Sequence, residues 1–216
     1  MPLPCPPQTA PEPPPYRPTP IRLYVIGTME THNEQALLVD RWLVLSEWLA
    51  QQGFPVENTR PVFISSATTP PNWLAALRET ERVDPWFRGV RAIIARGLGG
   101  FAAGGVDAPD GRARAILGDA AYYALTGQSH RCEVDYRLPA FACTWQAQLG
   151  ALAHEIGHGQ GFQHDAGGVM EHWWRWPDVP LVSEEAFAER RARQAAVSQS
   201  TDLISEVRRL LGQVRP

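Results

Sequence analysis

The twelve residues HEIGHGQGFQHD, His154–Asp165, constrain this chain more than any other stretch. They hold three of its six histidines, spaced four and six apart, with Glu155 beside the first and Gly161 between the second and third. The surrounding TWQAQLGALAHEIGHGQ reads as a helix with Thr144 as N-cap and a glycine-marked end. On a helix, His154 and His158 project from one face about one turn apart. Two ring nitrogens can then reach one metal at ~2.0–2.1 Å. Gly161 is free to take the left-handed conformation that ends a helix and turns the chain. That turn lets His164 swing back and supply a third nitrogen. Three neutral imidazoles and one open position describe a catalytic zinc site; a structural one needs a fourth protein ligand. Glu155 is poorly placed to be a ligand, but it can reach water activated by the metal, act as general base and pass the proton to a leaving amine. Five fixed positions in eleven residues arise by chance on the order of 10⁻⁵ times per chain of this composition, so coincidence is set aside.

The remaining sequence is read for what could carry such a site. With 216 residues, 44% of them apolar, there is material for one well-buried domain and a smaller second lobe. The net charge of -3 is spread along the chain. No clustered basic surface marks a nucleic-acid partner, and ERRARQ near Arg190 reads as a solvated helix face. No apolar run reaches the length of a membrane span. Residues 1–20 contain ten of the twenty prolines and should be extended, partly polyproline II and poorly ordered. They lack an apolar core, so they are not a signal peptide as they stand. The compartment is left open: exported if the chain is a mature form, cytoplasmic otherwise.

Strands are expected at IRLYVIGT (21–28), RPVFISS (60–66) and GVRAIIARG (89–97), the last with the continuous apolar centre of a buried strand. A short fourth strand, RARAILG (112–118), is placed near an edge, and RLPAFA is a candidate fifth. Between them, GLGGFAAGGVDAPDG has six glycines in fifteen residues and reads as a loop or bulged connection. NEQALLVDRWLVLSEWLAQQG reads as a helix capped by Asn33 and stopped by Gly53, with Leu38, Trp42, Leu45 and Leu49 at helical spacing. Trp42 and Trp48 are assigned to core packing. PPNWLAALRETERV, SEEAFAERRARQAAV and DLISEVRRLLG are further helices. Cys132 and Cys143, eleven apart, flank a loop and short strand; they could form a disulfide, which sequence does not decide. Asp107 and Asp110 could hold calcium with loop carbonyls, although an Asp-Gly turn without metal is the better reading.

HEIGHGQGFQH fits the pattern HExxHxxGxxH and so resembles the metzincin zinc endopeptidases. In that clan a methionine in a tight turn lies beneath the metal, and GGVM places Met170 six residues after His164 with two glycines to make the turn. The resemblance implies an α+β fold: a twisted, mostly parallel sheet with an antiparallel edge strand, two long helices, and a small, mostly helical C-terminal lobe. Zinc would sit in the cleft between an upper subdomain (about 21–161) and a lower one (about 162–216) of a single catalytic domain. It further implies one catalytic Zn²⁺ on His154, His158 and His164, Glu155 as base, and a monomer that binds a protein or peptide extended along an edge strand. If Arg112–Gly118 is that edge, it would pair with the substrate. By the same resemblance Trp173, Trp174 and Trp176 in EHWWRWPDVP line or rim an apolar pocket for the residue after the scissile bond. They could instead cover the C-terminal helix, and both can hold for different rings. The chain departs from some branches in having His172, not tyrosine, two residues after the methionine; Trp173 and Tyr122 or Tyr123 become candidates for a transition-state contact. Cys5 invites comparison with the cysteine that blocks zinc in some zymogens, but PLPCPP lacks the flanking arginine and glycine, and a free surface thiol is the better reading. Two other functions stay open: a zinc hydrolase of a non-protein amide, and a binding protein that keeps the fold without turnover. Glu155 speaks against the second, because binding requires no base beside the metal.

Overall fold

Six consecutive buried residues, Val90–Ala95, run through the middle of a five-stranded sheet. The computed structural model describes residues 18–27, 31–65, 69–100, 102–107, 112–192 and 196. Along the chain the strands are β1 (Ile21–Ile26), β2 (Val62–Ile64), β3 (Val90–Ala95), β4 (Ala102–Asp107) and β5 (Arg112–Leu117). Across the sheet they lie in the order β2-β1-β3-β5-β4, all parallel except β4, which pairs antiparallel with β5 at the edge. Parallel strands need long crossovers; helix α1 (His32–Gln51) links β1 to its neighbour β2, and α2 (Trp73–Val83) carries the chain from β2 past β1 to β3. The fold is therefore α+β, with the mostly parallel sheet and antiparallel edge strand expected.

The apolar faces read from sequence are the ones buried. Leu38, Trp42, Leu45 and Leu49 of α1 are each at most 1% exposed. Trp42 donates its indole N–H to the Asn58 carbonyl at 3.0 Å, which lets so large a ring be buried with its polar atom satisfied. The cap of α1 is Thr31, two residues before the expected Asn33. The Thr31 hydroxyl accepts the Glu34 N–H and the Glu34 carboxylate accepts the Thr31 N–H, a reciprocal pair that Asn33 could not form. Arg91, 5% exposed on the central strand, donates to the carbonyls of Thr80, Asp84 and Phe87 and to the Tyr24 hydroxyl. Its charge is thus spread over the carbonyl-rich end of α2, where cations are favoured.

Three expectations are corrected. Arg112–Leu117 lies near an edge, as expected, but is not the edge strand itself: β5 lies between β3 and β4, with Ala115, Ile116 and Leu117 buried. The edge is β4, formed by AAGGVD from the stretch read as a loop. RLPAFA forms no strand; Ala140–Cys143 is a 3-10 turn starting after Pro139. The loop and short strand expected between the two cysteines are instead the end of helix α4 (Ser129–Tyr136), which carries Cys132, and the 3-10 turn that ends at Cys143; the two sulfurs are bonded. Helix α3 (Asp119–Leu125) went unread because all seven of its residues are buried, leaving no amphipathic pattern to find. The Asp119 carboxylate accepts the N–H groups of Gly97 and Gly99 at 2.8 Å each, fixing the β3–β4 connection to the start of α3.

Residues Pro18–Ala186 make up one compact unit. Residues 184–192 are helical, with the Ser183 hydroxyl accepting the Ala186 N–H at 3.1 Å. Cys5, most of the proline-rich segment, the last expected helix and the Asp107 and Asp110 side chains lie outside the described residues. Among those described, no helix is long and apolar enough to cross a membrane.

Candidate metal centre

Helix α5 (Trp145–Gly159) begins at Thr144, whose hydroxyl accepts the Ala147 N–H at 3.2 Å, the cap read from sequence. It packs against the sheet beside β4 and β5 and carries His154, Glu155 and His158. The helix stops at Gly161 in a paired turn. The Gly161 N–H reaches the His158 carbonyl and the Phe162 N–H reaches the Gly157 carbonyl, at 2.9 and 3.0 Å, with Gly161 at φ +85°. These are the two bonds of a Schellman stop. The Phe162 ring then anchors the turn edge-on against Phe54.

The reversal brings His164, in a 3-10 turn at His164–Ala166, back to the two helical histidines. The His158 Nε2 lies 3.2 Å from that of His154 and 3.0 Å from that of His164. The other ring nitrogens of the helical pair are occupied by main-chain carbonyls: His154 Nδ1 by Val169 at 3.1 Å and His158 Nδ1 by Phe162 at 2.9 Å. With the proton on Nδ1, each presents an Nε2 lone pair to the same point. Burial also holds both imidazoles below the ordinary histidine pKa, favouring the neutral form. Lone pairs facing one another at this range repel unless a cation lies between them. Tetrahedral coordination at ~2.05 Å would separate neighbouring nitrogens by about 3.3 Å. The residues present therefore fit a metal ion, and His154, His158 and His164 could hold it.

Met170 lies against α5 at Gly157, between the two helical histidines. It ends the turn Gly168–Met170 and is 1% exposed. Gly167 and Gly168 take φ of +70° and +61°, and the turn is held by N–H groups of Val169 and Met170 on the carbonyls of Pro180 and Leu181. A Cβ on Gly157 would stand 2.1 Å from the Met170 sulfur. The turn thus presses on the helix between the two histidines, and only glycine leaves room for it.

Glu155 faces the cleft beneath the edge strand. A Cβ on Gly104 would meet the Glu155 carbonyl at 2.3 Å and its Oε2 at 2.8 Å, so β4 crosses the helix backbone to backbone at the base. Burial pushes the Glu155 carboxyl up to about 7; a cation held by the histidines would draw it back down. Two cavities border β4 on either side of this crossing. One, of about 250 Å³, is lined by Ala102, Leu138, Gln148, Ala151, Glu155 and Trp173 among others. The other, of about 350 Å³, is lined by Gly104, Gly105, His158, Gly161 and Gln163.

The three tryptophans separate. Trp173 lines the first cavity. Trp174 is 53% exposed and packs on His172 and Trp173. Trp176 does not face the cleft: it is 5% exposed, edge-on to Trp48 and Trp145, and is core. Tyr122 and Tyr123 are not free for substrate either. Both are buried; the Tyr122 hydroxyl donates to Glu34 at 3.0 Å, and Tyr123 stacks on Tyr136 under the Arg131 guanidinium. Sequence reading missed Gly104, Gly157, Gln148 and Ala151. Glycine inside a helix or strand costs stability and often marks a close approach, which was the available signal for the first two.

No protein-family model matches the chain, and a search of curated proteins finds no match either.

Proposed function

We propose that the protein is a zinc-dependent endopeptidase of metzincin type, with His154, His158 and His164 as ligands and Glu155 as general base. The observation that carries the reading is the convergence of three Nε2 atoms, two of them with Nδ1 tied to main-chain carbonyls, beside a carboxylate at the floor of a cleft. Three nitrogen ligands leave a fourth position for chemistry. Zinc, when bound, supplies a Lewis acid that polarises a carbonyl and lowers the pKa of water. The chain's own groups do the rest. The substrate lies extended along the free edge of β4, which takes the role the sequence suggested for Arg112–Gly118; backbone pairing there positions the peptide without demanding a particular side chain. Glu155 takes a proton from the attacking water as the oxygen–carbon bond forms. It then delivers that proton to the amine nitrogen as the carbon–nitrogen bond breaks. The bonded Cys132–Cys143 pair favours an oxidising compartment.

The test is Glu155→Gln, which keeps the shape and removes the base. Turnover of a broad peptide library should fall about 10²–10⁴-fold, or ~3–5 kcal/mol, with metal content and melting temperature unchanged. His158→Ala should lose the metal as well. Wild-type turnover in Glu155→Gln, or full zinc occupancy in His158→Ala, overturns the assignment. A wild type that binds zinc but cleaves no peptide favours an amide hydrolase or binding role.

A further inference from the structure

The proton chemistry above uses Glu155 and leaves another polar group of the same helix unexplained. Gln148 is only 7% exposed, yet it lines the cavity beside Glu155 and His154. It stands two turns before Glu155 on the same helix face, with Ala151 between them, so the small alanine opens the space from one to the other. Seven residues of helix put the two positions roughly 10 Å apart along the axis. The orientation of its amide is fixed: Nε2 donates to the Ala142 carbonyl at 2.7 Å, so the other end must be the carbonyl oxygen. That oxygen has no hydrogen-bond partner among the described residues, and it is not among the side-chain atoms sealed from solvent. Gln148 thus brings an unpartnered, unsealed acceptor to the lining of a cavity whose other walls include Ala102, Leu117, Ala120, Ala121 and Leu138.

From this we infer that Gln148 is a specificity-determining residue, whose Oε1 accepts a hydrogen bond from the phenol of a substrate tyrosine seated in the cavity. The inference rests on the peptidase reading. The roughly 10 Å of helix from Glu155 to Gln148 favours a long side chain, and the alanine and leucine walls favour an apolar one. Among the described lining residues none offers a counter-charge at the Gln148 end, which disfavours lysine and arginine, since burying an unpaired charge is costly. A phenylalanine would fill the same space but bury Oε1 unpaired, and a site built to bond a hydroxyl discriminates strongly against the analogue that lacks it. The cavity wall is also anchored: Leu138 and Ala142 lie within the loop closed by the Cys132–Cys143 bond, so the carbonyl that aims Gln148 is held in place.

Two measurements test it. In the first, peptides differing only in tyrosine, phenylalanine or O-methyltyrosine at the residues flanking the cleaved bond are compared by kcat/KM. The wild type should prefer tyrosine to phenylalanine by about tenfold or more, and O-methyltyrosine should behave like phenylalanine. Gln148→Met, close in shape but without the acceptor, should remove the preference, mainly by improving phenylalanine. In the second, p-cresol and toluene are titrated into the protein by NMR, with no turnover required. The wild type should bind p-cresol more tightly, Gln148→Met should bind the two alike, and Ala151→Leu, which fills the cavity while keeping the Gln148–Ala142 bond, should bind neither. Equal cleavage of tyrosine and phenylalanine peptides by the wild type overturns the inference and leaves the peptidase reading intact. Selective p-cresol binding in a protein that cleaves nothing keeps the acceptor role of Gln148 and overturns the peptidase reading on which its substrate rests. If Gln148→Met does not fold, the Ala151→Leu titration decides, because unchanged p-cresol binding there places the ligand elsewhere.

Discussion

β3 and β4 are six-residue strands of one sheet, separated only by β5, and they hold their places in opposite ways. β3 is fixed by what its side chains fill: Val90, Ala92, Ile93, Ile94 and Ala95 are each 0% exposed between two parallel neighbours. β4 is fixed by what it lacks. Gly104 lets its backbone come against the backbone of α5 at Glu155, where any Cβ would collide. Packing with side chains yields stability, and packing without them yields a close crossing at which, on the proposed function, a substrate strand and the Glu155 carboxylate would meet. The two strands should therefore fail in different ways when substituted.

The largest expected effect is on β3. Ile93→Ala should cost about 2–5 kcal/mol, because the surrounding strands cannot collapse into the space left behind. The melting temperature should drop while, on the proposed function, metal content and peptide turnover per folded molecule stay unchanged. A comparable loss of specific activity in the folded protein would erase the contrast between the strands. Next is Gly104→Ala. The new methyl group displaces either β4 or Glu155, and a shift of about 1 Å near reacting groups can cost 10²-fold in rate, so peptide turnover should fall by about that factor with a smaller stability loss than Ile93→Ala. Full turnover in this variant would mean that the crossing is not what positions the base. Smallest is Gly157→Ala, under the histidines. Crowding the Met170 sulfur should cost about 1–3 kcal/mol, offset by the roughly 1 kcal/mol that alanine gains over glycine in a helix. A net loss near 1 kcal/mol by chemical denaturation is expected, and a more stable variant would show that Met170 can move aside.

The same contrast explains what could be read from sequence. β1, β3, α1 and α5 announce themselves through side-chain periodicity, and the three histidines through spacing, because in each case the residue present is the residue that acts. β4 could not be read that way. Its glycines say only that a side chain is missing, and the backbone that takes its place comes from α5, some fifty residues later. α3 was hidden for a related reason, since a helix buried on every side has no polar face to reveal its period. The tryptophans show the limit of composition: Trp173 and Trp176 are three residues apart and of one type, yet one lines a cavity and the other packs in the core. Only the turn after Trp173 decides which.

The groups that orient the two helical histidines are both peptide carbonyls, Val169 and Phe162. Many metal-binding histidines are oriented by a neighbouring carboxylate side chain, which a single codon change can delete. Here no point mutation removes the acceptor, since every amino acid carries the same carbonyl. Positions 162 and 169 are thereby released from any duty to the histidines except keeping the chain's path. The vulnerability moves to the glycines that set that path, Gly161, Gly167 and Gly168, where the positive φ makes almost any replacement strained. The histidine cluster is thus insulated against drift at its contact residues and brittle at its hinges, so inherited or random variation that damages it should surface at glycines that supply only the chain's path.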